Sequence, residues 1–379
     1  MAKIATASRK IAQVKGWRFA LAAVWAATLF LVAAASGASL VAGLHSASPI
    51  VVPRMTGRLT NADIGLVINS ADPYSVEVGE FYARARHIPP SRVLRVDLPV
   101  KPALTPEEFD RLKVAVDAHF KGDTQALALA WTMPYAVACN SITGALTLGF
   151  DPGVCANPAA GCEPTRRSAY FDSATSRPYT DLGVRPSMLL AAGDVASAKR
   201  LIERGVASDH SLGLKGAPPV YAHFVVTSDA ARSVRAALFP PPGLVRRANV
   251  IVDVAHAQAL QNVHRVLVYE TGLTWVDKLD TVQWVPGALA DHLTSFGGQL
   301  DGSSGQMTAL AWIDAGATAS YGTVSEPCSH PQKFPHPQIL LLNYMQGATA
   351  IEAYWKSVAW PLQGVFIGEP LAAPFFRVR

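Results

Sequence analysis

Charge is scarce in this chain. Asp, Glu, Lys and Arg make up 16% of its 379 residues, while half of the residues are hydrophobic. That balance excludes an intrinsically disordered chain, which has low hydrophobicity and high charge. Acids are missing altogether from the first 18 residues, where Lys3, Arg9, Lys10, Lys15 and Arg18 stand alone. These five cations equal the formal net charge of +5. The rest of the chain is therefore near neutral, which gives no reason to expect a nucleic-acid partner. Cysteine is also rare: Cys139, Cys155, Cys162 and Cys328 are the only four. Their spacing matches no standard zinc pattern. There is no internal repeat and no low-complexity tract, and no cofactor is expected.

What is present begins with a leader. After the basic segment comes an apolar run from Phe19 to Val41, broken only by Thr28 and by Ser36-Gly37-Ala38-Ser39. A basic start, an apolar run and small residues at its end are the layout of a secretory signal. The run also reaches the roughly 20 residues that a membrane-spanning helix needs. Residues 1–45 are read as a signal peptide or an N-terminal membrane anchor; as a buried core helix, the basic flank would have no purpose. Residues 46–61 are read as a linker and 62–379 as a single α/β domain. Positive-inside logic then places the domain outside the cytoplasm, in the periplasm or cell envelope. Any membrane contact runs through the leader, if it is retained. An even number of cysteines in an exported chain suggests disulfides. Cys155 and Cys162 share one Pro/Gly/Ala-rich loop and are expected to close a short ring, leaving Cys139 to pair with Cys328.

The domain shows alternating periodicities. Ile64–Ile68, Arg92–Leu98 and Gln125–Trp131 read as strands, with helices beginning at Asp72-Pro73 and at Thr105 between them. This is the pattern of βαβ units and a largely parallel sheet. From about Cys139 to Pro186 the pattern lapses into a Gly-, Pro- and Ser-rich insertion carrying cysteines. A helix over Val195–Arg204 has Asp194 as its cap and Gly205 just past its end. Strands return near residues 221, 249, 265, 287, 317 and 365. The expected fold is α/β, with a mainly parallel sheet of about six strands flanked by helices.

Sites in such sheets gather at the carboxyl ends of strands. Glu270 ends one apolar strand and could act as an acid or base. The stretch Ala290-Asp-His-Leu-Thr-Ser-Phe-Gly-Gly298 combines a carboxylate, an imidazole, hydroxyls and a glycine turn. There His292 could activate Ser295, with Asp291 orienting it. Neighbours in a strand point to opposite faces, so Asp291 and His292 need a bulge to converge. Gly297 and Gly298 could offer N–H groups to an anion, and Glu326 could add a binding carboxylate. His292, Cys328 and His330 form a minor metal option. Each group also has a plain structural reading, as a turn or a disulfide.

Two resemblances rest on longer strings. Leu66-Val-Ile-Asn-Ser70, Asp72-Pro-Tyr-Ser75, Arg86-His-Ile-Pro89, the stretch Pro286 to Gly298, Gly316-Ala-Thr-Ala-Ser-Tyr-Gly-Thr-Val324 and Gly368-Glu-Pro-Leu371 together resemble an uncharacterised family of exported bacterial proteins, which brings no activity with it. The order of Met188–Arg204, Val266–Gly272, Gly287–Ser295, Gly316–Val324 and the terminal Gly-Glu-Pro-Leu also resembles gingipain-type, caspase-like cysteine peptidases. Those carry a Gly-His-Gly after the first of these end strands and a Cys after the next. Here the matching stretches read Glu270-Thr271-Gly272 and Thr294-Ser295, without His or Cys. With the residues at the strand ends, the leading reading is a hydrolase-like or former hydrolase scaffold with its site around Glu270, Asp291, His292 and Ser295. The alternative is a non-catalytic protein that uses the same cleft to bind a peptide or an envelope component.

Overall fold

The structure, a computed structural model, describes residues 50–376 apart from Thr56 and Pro158. The leader expected over residues 1–45 and linker residues 46–49 lie outside them. Among the described residues no helix is long and apolar enough to cross a membrane.

The first strand, β1 (Ile64–Asn69), is buried at all six positions. Burial on both sides of a strand requires both faces of its sheet to be covered. Helix α1 (Pro73–Ala85) starts where the Asp72 carboxylate accepts the Tyr74 N–H and Pro73 sets the first turn. After β2 (Val93–Val96) and β3 (Ala103–Leu104), α2 (Pro106–His119) opens with a reciprocal Thr105–Glu108 capping box. Then come β4 (Ala126–Leu129), β5 (Ala136–Val137) and β6 (Asn140–Ser141). Helices α3 (Ile142–Leu148) and α4 (Pro178–Leu182) precede β7 (Ser187–Leu189) and α5 (Val195–Ser208). The second half holds β8 (Val220–Val226), β9 (Gly243–Val245), β10 (Val250–His256), β11 (Val266–Thr271) and β12 (Trp284–His292). The chain ends through α6 (Leu310–Ala315), β13 (Ala319–Thr323), α7 (Pro337–Met345), α8 (Ala350–Ser357) and β14 (Gly364–Gly368).

Eleven strands, not about six, join one sheet in the order β2-β1-β4-β7-β14-β13-β12-β11-β8-β10-β9. The remaining three, β3, β5 and β6, form a small separate sheet. The expectation of a mainly parallel sheet flanked by helices holds, but the sheet is two parallel sets. One set is β2, β1, β4, β7 and β14; the other is β13, β12, β11, β8 and β10. They meet at the antiparallel β13–β14 pair, and β9 adds an antiparallel edge. The two sets therefore present their carboxyl ends at opposite edges. The sheet exceeds six strands because β14, the last strand, closes the gap between β7 and β13 and fuses both halves.

Two local readings change. Gly205 lies inside α5 rather than beyond its end. A Cβ there would sit 2.4 Å from Cγ of Glu369, so the glycine provides room for a buried carboxylate rather than a cap. That carboxylate takes Arg86 in a fork, Nε to Oε1 at 2.9 Å and Nη2 to Oε2 at 2.6 Å. The stretch 139–186 is also more than a loop, because α3 packs on β7 and β14 and is buried at six of its seven positions.

The disulfides are Cys139–Cys155 and Cys162–Cys328, with Cα separations of 5.4 and 5.0 Å. Neither expected pair, Cys155–Cys162 or Cys139–Cys328, forms. The Asn140 amide brackets the backbone of Asp151, donating to its carbonyl and accepting its N–H. The turn Pro152–Cys155 then sets Cys155 beside Cys139. Gly161 lies so close to the Glu326 carbonyl that a Cβ would be 2.5 Å from it, which brings Cys162 to Cys328. All four thiols are consumed, which points to an oxidising, non-cytoplasmic location.

Candidate functional site

In the second set of strands the chain leaves β8 towards β10 on one side and returns to β11 on the other. Ligand crevices in open α/β sheets lie beyond the carboxyl ends at such a switch point. The residues predicted from the sequence stand there, on β11 and β12. The register pairs Glu270 with Asp291 and Thr271 with His292.

Glu270 and Asp291 do come together, but inside the protein. Both are fully buried, and Arg235, just as buried, lies between them. Its Nη1 is 2.7 Å from Asp291 Oδ1 and 3.1 Å from Glu270 Oε2, and its Nη2 donates to the Thr271 carbonyl at 2.9 Å. The contact with Asp291 is a charge contact without hydrogen-bond alignment, since neither oxygen of Asp291 has a hydrogen-bond partner. Burial pushes both carboxyls up; the charge of Asp291 adds to this at Glu270, and Arg235 opposes it at both. Burial works against the arginine as well, but Asp291 and Glu270 outweigh it and keep it charged. Burial, and at Glu270 the neighbouring carboxylate, thus favours the neutral acid, while Arg235 favours the ionised form. Arg235 was not singled out from the sequence. Its signal is a lone arginine in the run Val234-Arg-Ala-Ala-Leu-Phe239.

His292 points away from this cluster, as strand alternation requires. Trp312 Nε1 donates to its Nδ1 at 2.9 Å, and its Nε2 lies 3.1 Å from the Met307 carbonyl. A ring that accepts at Nδ1 and donates at Nε2 is neutral with a fixed tautomer. Burial pushes its pKa down to about 3. Both nitrogens are engaged, so His292 cannot take a proton from Ser295, and the expected pairing with Asp291 as orienter does not form. Nitrogen-detected NMR checks this. The ring should hold the Nε2–H form and show no titration between pH 7 and pH 4. A midpoint near the ordinary value of about 6.5 would contradict the geometry.

Ser295 is half-buried and gives its carbonyl to the Thr323 hydroxyl at 2.9 Å. Of the two N–H groups expected to face an anion, that of Gly298 is used within the chain. The Gly298 N–H donates to the Thr323 carbonyl, and the Gly297 carbonyl accepts from Ala309. A Cβ on Gly298 would lie 2.5 Å from the Gly322 carbonyl. These glycines let the loop after β12 press on β13. Glu326 lies in the disulfide region, where its carboxylate accepts the Cys328 N–H. The metal option fails, because Cys328 is spent in a disulfide and the described residues hold no group of three or more candidate ligands.

The crevice itself is occupied by the protein's own chain. The Thr227 hydroxyl donates to the Gly272 carbonyl at 2.7 Å. The Arg232 carbonyl packs so tightly on Gly272 that a Cβ there would be 2.0 Å away. The Arg232 side chain reaches on to the Thr294 hydroxyl at 3.3 Å and Asp229 at 2.8 Å. Behind this plug, Val234, Leu238, Phe171, Phe334 and His336 line a cavity of about 320 Å³. Nδ1 of His336 is buried there without a partner, and burial lowers its pKa. No family model, no curated protein and no solved structure matches this chain.

Proposed function

We propose that this is a non-catalytic binding protein of the periplasm or cell envelope, built on a peptidase-like scaffold. The reading includes membership of the exported bacterial family that the sequence resembles. Its peptidase-like part is supported by four strands standing side by side in chain order, β11 and β12 with β13 and β14, the last antiparallel. The positions that hold His and Cys in gingipain-type peptidases correspond to the ends of β11 and β12. The observation that carries the non-catalytic reading is the plug. Arg232 packs on Gly272 and reaches Thr294, and His292, the base expected for Ser295, has both ring nitrogens engaged elsewhere.

What the scaffold retains is the 320 Å³ cavity. Its lining is mainly apolar, with Gln332, His336 and Ser357 as the polar exceptions, and it suits an apolar peptide side chain. The test pairs turnover with binding. Purified protein should leave casein intact and leave Ser295 unlabelled by a fluorophosphonate. Short peptides bearing Leu or Phe should bind in calorimetry, and the exposed-rim change Ala237→Trp should abolish that binding. Hydrolysis of casein that disappears in Ser295→Ala would overturn this reading in favour of a hydrolase.

A further inference from the structure

We propose that the surface around residues 51–55, 244–248 and 342–346 docks on a bilayer carrying anionic lipid. A second concavity, of about 540 Å³, opens there. Met55, Val245, Leu342 and Met345 give it apolar walls, and Arg54 and Arg247 stand beside them. No acid lines it. Arg54, Arg246 and Arg247 are exposed, and none has an ion-pair partner among the described residues. Next along the chain from the lining residues, Val51 is 83% exposed and Leu244 is 51% exposed. Exposed apolar groups beside unpaired cations are the composition of a surface that enters a negatively charged interface.

Chain layout favours a bilayer as the occupant. Ten residues separate Val41, the end of the apolar run, from Val52. At full extension they reach about 36 Å, so a retained leader would hold this surface near the lipid headgroups. The charge is also local, since the chain behind the leader is near neutral.

Full-length protein mixed with vesicles and followed by amide hydrogen exchange tests this. With phosphatidylglycerol-containing vesicles, residues 51–55 and 243–248 should exchange several-fold more slowly. Phosphatidylcholine vesicles should leave them unchanged, and added salt should remove the protection. The double variant Arg54→Glu/Arg247→Glu should lose it, while Arg54→Lys/Arg247→Lys keeps it. Both sites are exposed, and unchanged exchange in β11 confirms that the variants fold. Equal protection by both vesicle types, no protection, or protection that survives charge reversal would overturn the proposal. So would the same protection from inorganic phosphate alone, which would make this a soluble-anion site.

Discussion

Replacing Arg235 with Met will cost about 3–5 kcal/mol, the usual penalty for stranding a buried charge partner. The guanidinium is the shared counter-ion of Glu270 and Asp291 and also donates to the Thr271 and Pro335 carbonyls. Without it two carboxyls face each other in a dry interior and both must be neutral. Their folded pKa values then rise further above the unfolded values. A group whose folded pKa is raised stabilises fully below the unfolded pKa and loses that contribution as pH rises through the folded one. The deficit of Arg235→Met should therefore be smaller at pH 4 than at pH 8. Urea melts at both pH values measure it. The triple change Arg235→Met, Glu270→Gln and Asp291→Asn should recover part of the loss. A single variant within 1 kcal/mol of the parent at pH 8, the level of an exposed ion pair, would show that Arg235 is not a required counter-ion of the two carboxyls.

Removing Cys162–Cys328 by a double change to Ala should cost about 5 kcal/mol on the loop-closure model, against about 3 for Cys139–Cys155. The difference follows from sequence separations of 166 and 16. Domain stabilities of about 5–15 kcal/mol make the first loss severe. Non-reducing peptide mapping establishes the pairs, and chemical denaturation of each double variant measures the costs. Equal costs, or recovery of Cys155–Cys162 peptides, would remove the basis for this ranking.

Much of the framework was legible because local chemistry specifies it. Asp72-Pro73 and Thr105 with Glu108 announce helix starts within three or four residues, and unbroken apolar runs announce strands buried on both faces. The strand count was not legible, because it depends on where β14 inserts, and nothing local to Gly364–Gly368 names its neighbours. The disulfide pairing was missed for a similar reason. Closeness along the chain favoured Cys155 with Cys162, whereas Asn140 and Gly161 set the partners through contacts made only on folding. At the site, the sequence picked out Glu270 and Asp291, which do meet. It could not show that Arg235 and Arg232, more than 30 positions upstream of both, would turn that meeting place into interior.

The position of β14 also sets a timetable for biosynthesis. Among the described residues β14 comes after every other strand of the sheet in sequence, yet it is the seam between the two parallel sets. A chain emerging N-terminus first can assemble β2-β1-β4-β7 early and the β8-to-β13 set later, but the two cannot join until Gly364–Gly368 has emerged. Until then β7 and β13 each expose an open strand edge, a template for pairing with other chains. A chain interrupted between Thr323 and Gly364 would therefore hold two half-sheets with adhesive edges. Insertion of β14 is therefore the step that turns two separate half-sheets into one continuous sheet.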